Sequence, residues 1–145
     1  MTTTEITFDL TSSDYTVPLG FDVLLDNTIV FTTDHVTVPT PIKIEISEDE
    51  GQHELKLVLK NKKNEHTKID ATTGDIIRDV VLSINNIKFD NFNTTYEMLQ
   101  QFEYYHSSNN ELPAIKNAFY GDMGCNGYVS LKFTTPMFIW LLEYM

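Results

Sequence analysis

The stretch Ile42-Lys43-Ile44-Glu45-Ile46-Ser47-Glu48-Asp49-Glu50-Gly51-Gln52-His53-Glu54-Leu55-Lys56-Leu57-Val58-Leu59-Lys60 decides the fold class. Isoleucines at 42, 44 and 46 alternate with polar residues, and leucines at 55, 57 and 59 do the same. A period of two puts each set on one face of an extended strand. The acidic Glu48-Asp49-Glu50-Gly51 between them reads as a turn, so the two runs predict a β-hairpin.

The same period continues on both sides. Towards the N-terminus, Ile6, Phe8 and Leu10 form a half-buried strand, and Phe21, Val23 and Leu25 form another after Pro18 and Gly20. Asp26-Asn27 reads as a turn into Thr28-Ile29-Val30-Phe31-Thr32, which predicts a further hairpin. Pro39 and Pro41 confine the segment around them to an edge or a linker, because proline has no ladder donor. Towards the C-terminus, Ile69 to Ile76 reads as a hairpin with a polar tip, and Val80, Leu82, Ile84, Ile87 and Phe89 extend the β pattern. Val129, Leu131 and Phe133 make one more strand. These runs predict an all-β, antiparallel sandwich, one domain over residues 1–145 without internal repeats.

Two segments break the pattern. Thr94 stands three residues before Glu97 as a capping box, and Met98, Phe102 and Tyr105 fall at helical spacing, which predicts a short helix near residues 95–105. The aromatic run Phe102-Glu103-Tyr104-Tyr105 suits a strand as well. The second segment is the nearly all-apolar tail of Met137, Phe138, Ile139, Trp140, Leu141, Leu142 and Tyr144 around Glu143. As a strand it would place Phe138, Trp140, Leu142 and Tyr144 on one face and Ile139 and Leu141 on the other, whereas Thr135-Pro136 before it suits a helix start. Both faces of such a strand need cover, from the chain's own sandwich or from a neighbouring subunit, so these seven apolar residues are the candidate interface.

Composition narrows the partners. With 21 acidic against 10 basic residues, the formal charge is -11 at pH 7, which disfavours nucleic acid and anionic membrane surfaces. Six acids (Glu5, Asp9, Asp14, Asp22, Asp26, Asp34) and no Lys or Arg lie in the first 42 residues, a candidate face for a basic neighbour. The apolar runs are too short to span a bilayer, and no secretory leader is expected. The lone Cys125 excludes an intrachain disulfide.

No residue pattern points to catalysis. Cys125, His35, His53, His66 and His106 have the residue types of a thiol nucleophile and its base without a known spacing, and Gly121 to Gly124 lacks the lysine of a phosphate loop. The expectation is therefore a protein that is not an enzyme and carries no cofactor. Calcium is the one metal left open, since Glu48 and Asp49, or Asp70 and Asp75, could gather the oxygen ligands a hard cation needs. Asp70 and Asp75 also read simply as turn residues that accept local amides. Lys56, Lys60, Lys62, Lys63 and Lys68 are expected to solvate strand faces or meet an acidic patch. Tyr104 and Tyr105 with Asn109 and Asn110 have the composition of a glycan site, as do Tyr120 and Tyr128 near Asp122 and Asn126: aromatic platforms beside amides and acids that can bind hydroxyls.

The stretch from Phe119-Tyr120-Gly121-Asp122-Met123-Gly124-Cys125-Asn126-Gly127 through Leu141-Leu142-Glu143 resembles the C-terminal signature of small proteins of marine tailed phages. Gly51-Gln52-His53-Glu54-Leu55, with Leu57 and Leu59, resembles the matching segment of that group and of calcium-dependent xylan-binding modules. The phage resemblance runs from Ile42 onward and implies a jelly-roll-like β-sandwich serving as a head, neck, tail or fibre component of a virion, in contact with other virion proteins or copies of itself. The second resemblance implies a glycan-binding module that recognises host-surface sugars, with calcium. No full set of loop acids aligns with such modules, so Glu48, Asp49, Asp70 and Asp75 remain candidates by composition.

Overall fold

Strand β1 (Thr3–Ser12) buries Ile6, Phe8 and Leu10 on one face, as its alternation predicts. The computed structural model describes the chain apart from residues 1–2, 63–67, 70, 74–75, 79, 91, 95, 107–114, 120, 125 and 144–145, and the backbone alone at 68–69, 76–78, 96–97 and 115–118. The strands that follow are β2 (Gly20–Leu25), β3 (Thr28–Thr33), β4 (Thr40–Ser47), β5 (Gly51–Lys60), β6 (Lys68–Ile69), β7 (Ile76–Arg78), β8 (Leu82–Phe89) and β9 (Phe92–Asn93). After helix α1 (Tyr96–Leu99) come β10 (Phe102–His106), β11 (Ile115–Ala118), β12 (Asp122–Met123), β13 (Gly127–Thr135) and helix α2 (Met137–Glu143).

Two antiparallel sheets face each other. The first runs β12-β8-β1-β4 with β9 on β8, and the second runs β11-β10-β13-β5-β2-β3; β6 and β7 form a separate small hairpin. Ile42, Ile44 and Ile46 of β4 and Phe8 of β1 meet Phe21, Leu55, Leu57, Leu131 and Phe133 of the second sheet in one continuous core. Full burial of each such side chain favours folding by about 1.5–3 kcal/mol. The irregular spacing Leu82, Ile84, Ile87, Phe89 has a local cause. Thr7 lies opposite Lys88 and Asp9 opposite Asn85, so β8 holds one extra residue there, with Asn86 at φ 56°. This bulge returns Ile87 and Phe89 to the core face.

The hairpin expected from the isoleucine and leucine runs does not form. β4 pairs with β1 and β5 pairs with β13 and β2, so residues 48–50 cross from one sheet to the other. Each run buries its apolar face against the other across the core instead of beside it. The β2–β3 hairpin forms as predicted, with Asp26 and Asn27 both at positive φ in its turn. The helix near residues 95–105 is confined to α1, and the aromatic run is strand β10, held between β11 and β13. The Thr94 amide and hydroxyl both donate to the Ile87 carbonyl, at 3.1 and 2.6 Å, while the Glu97 side chain of the expected capping box lies outside the described residues.

The tail is a helix, not a strand. Met137, Trp140 and Leu141, spaced by three and four, are buried, and Trp140 packs 6.0 Å from the Phe89 ring and 6.3 Å from the Phe133 ring. Phe138, Ile139 and Leu142 lie on the exposed side. The Glu48 carboxylate accepts the Met137 amide at 2.7 Å and satisfies one of the orphan donors at the start of α2.

Candidate functional site

Strict alternation on the second sheet sends every other side chain of β10, β13, β5 and β2 away from the core. One outward row is Tyr105, Tyr128, Val58, Asp22 and Thr32; the next is Glu103, Ser130, Lys56 and Leu24. Tyr105 and Tyr128 stand directly opposite each other, and their rings stack with centroids 5.1 Å apart and planes at 26°. Lys56 Nζ lies 5.1 Å from the Tyr128 ring centroid, a cation–π contact, and 3.8 Å from Glu54 Oε1. Ser130 donates to Glu54 Oε2 at 2.5 Å, and the Tyr105 hydroxyl donates to Glu103. The Glu103 bond, aided by desolvation and the Glu103 charge, pushes the Tyr105 hydroxyl up to about 12, so it remains a neutral donor. The result is an aromatic platform framed by two carboxylates, an ammonium and a hydroxyl.

Further along β5 and β13 the outward pairs are Glu54 with Lys132 and Gln52 with Thr134. These residues line an open groove of about 630 Å³ together with Asp26 and Asn27 of the turn, Glu143 of α2, and His53, Phe133 and Trp140. His53 stacks on Phe133 at 5.5 Å, with Nδ1 facing Asp26 Oδ2 at 2.6 Å and Nε2 facing Thr135 Oγ1 at 3.2 Å. Thr135 in turn donates to the Asp49 carbonyl. Desolvation raises the Asp26 carboxyl, but the His53 hydrogen bond, the Glu54 amide at 2.8 Å and the His53 charge outweigh it and hold the group below its ordinary 3.8. His53 thus pins the hairpin turn to the end of β13.

The predicted site residues fall into different places. Tyr104 points inward, is buried and packs edge-on against Phe119 at 6.5 Å, so it belongs to the core; Tyr105, one residue on, belongs to the platform. Glu48 spends its oxygens on Thr4 and on the Met137 amide, while Asp49 is exposed. Among the described residues no group of three or more His, Cys, Asp or Glu is arranged to hold a metal ion. Asp70, Asp75, Asn109, Asn110 and Tyr144 lie outside the described residues. The N-terminal acids are largely engaged within the chain: Glu5 pairs with Lys43 at 3.0 Å, and Asp22 and Asp34 pair with Lys60 at 2.9 and 3.2 Å. Composition singled out Tyr128 but not its stacking on Tyr105, and it did not group Glu54, Lys56 and Glu103 with the two tyrosines. Those three occupy outward positions of their strands, the one signal that could have grouped them.

No family model and no curated relative matches the sequence. Among solved structures, the chain is similar to the carbohydrate-binding module vCBM60 in complex with galactobiose, with a TM-score of 0.50 and 18% identity over 88% of this chain and 96% of that one. At that identity the likeness shows the fold, an antiparallel β-sandwich. A β-sandwich is the fold both sequence resemblances implied, and the neighbour itself is a carbohydrate-binding module.

Proposed function

We propose that the protein is a carbohydrate-binding module that holds a neutral, galactose-containing glycan on the outer face of its second sheet. The observation that carries this reading is the Tyr105–Tyr128 stack with Glu103, Ser130, Glu54 and Lys56 around it. A sugar ring has an apolar C–H face and a rim of hydroxyls. Aromatic surface covers the first, and charged or hydroxyl groups bind the second through charge-assisted hydrogen bonds. The galactobiose complex of the structural neighbour supports the ligand class, as a likeness of fold. It favours this function over the virion role, for which the exposed Phe138, Ile139 and Leu142 of α2 give only a surface suited to protein contact.

Binding without turnover and without a metal is part of the proposal. Calorimetric titration of galactobiose, first with calcium and then with chelator, tests it. Saturable binding in both conditions, weakened about tenfold or more by Tyr128→Ala, supports the platform. Binding that disappears with chelator would move the site to a metal centre instead.

A further inference from the structure

We infer that the groove between the Asp26–Asn27 turn and α2 is a second sugar subsite, continuous with the tyrosine platform, so that one linear site takes neutral oligosaccharides longer than a disaccharide. The inference rests on the glycan-binding reading and extends it. Four successive outward pairs join the two regions: Tyr128 with Val58, Ser130 with Lys56, Lys132 with Glu54, and Thr134 with Gln52. At the usual rise of a strand this run is about 20 Å long. Its first pair holds the platform and its last two line the groove.

The groove's lining divides into committed and uncommitted groups. Asp26, His53 and Glu54 are engaged with partners in the chain. The side chains of Gln52, Lys132, Thr134 and Glu143 make no hydrogen bond or ion pair with described residues, yet all four line one concavity whose apolar lining is Phe133 and Trp140. Uncommitted polar groups gathered over rings that are themselves almost wholly buried fit the hydroxyl rim of a polyol. Three carboxylates, from Asp26, Glu54 and Glu143, face the groove against Lys132, with His53 already paired to Asp26. The ligand class is therefore neutral, because a uronic or sulfated chain would meet like charge.

The experiment compares galactobiose, galactotetraose and tetragalacturonate as titrants of the full chain. The expected result is an affinity for galactotetraose about tenfold above that for galactobiose, with tetragalacturonate bound at least about tenfold more weakly than galactotetraose. In a Gln52→Ala/Glu143→Ala double variant, both positions being exposed, the ratio between the two neutral sugars should fall to about one. Equal affinity for the two in the parent chain, or a double variant that keeps the ratio, would overturn the groove subsite and leave the platform standing. No binding of any of the three sugars would overturn the platform and the groove together.

Discussion

Tyr105 and Tyr128 can stack because Gly127 has no side chain. A Cβ at Gly127, where φ is 155°, would lie 2.2 Å from the Tyr105 carbonyl oxygen and 2.8 Å from the His106 Cα. Both neighbours are backbone, so β10 would have to move off β13. Gly127→Ala should cost about 2 kcal/mol or more in urea unfolding and weaken sugar binding by separating the stack; unchanged stability would show that β10 approaches β13 less closely. A second prediction concerns Asp26. Its carboxyl titrates below 3.8 in the folded chain, so its charged form stabilises the fold above that pH, and the contribution fades as pH falls through the lowered folded value. Asp26→Asn, which keeps the side chain's shape and tolerance of positive φ, should lower Tm at about pH 5, and the difference from the parent chain should shrink as pH falls below the ordinary 3.8 and through the lowered folded value. A Tm difference that does not shrink as pH falls below 3.8 would mean the carboxylate charge is not the cause. At this scale the sequence shows which residues carry aromatic and polar groups. It does not separate Tyr104 from Tyr105 until the phase of β10 is known, and one residue of phase sends one into the core and the other to the surface.

Elements were legible where period alone decides them. The two-residue alternation of Ile6-Phe8-Leu10, Leu55-Leu57-Leu59 and Val129-Leu131-Phe133 gives the strands and their core faces. It does not give neighbours, because a face says what a strand packs on and not what it pairs with; β4 and β5 therefore looked like a hairpin and lie in opposite sheets. The tail was ambiguous for a different reason: a run apolar at nearly every position has no period to read. The structure resolves it through position. Pro136 opens the segment, Glu48 takes the Met137 amide, and residues 137, 140 and 141 drop onto Phe89 and Phe133. A helix and a strand predict different mutational patterns here. Trp140→Ala should destabilise by about 3–5 kcal/mol, since the ring is only 4% exposed, while Phe138→Ala, at a position 61% exposed, should stay within about 0.5 kcal/mol. Equal losses at 138, 140 and 142 in chemical denaturation would indicate a strand.

On the scale of the whole molecule, the sandwich separates two tasks. Its interior fixes the register of β10, β13 and β5, and that register alone aligns the outward side chains into a platform and a groove. The charge of -11 acts over the same surface. Several of its acids are neutralised locally by Lys43 and Lys60, and those that remain discourage anionic partners without hindering a neutral sugar. Composition announced this preference, whereas the site itself depends on contacts between residues far apart in sequence, such as Glu54 with Ser130 and Asp26 with His53. Titration of galactobiose into the parent chain and into Tyr128→Ala tests the account most directly. The account predicts saturable binding by the parent chain that falls about tenfold or more in the variant while the variant still unfolds cooperatively. Equal binding by the two chains, or none by the parent, would contradict it.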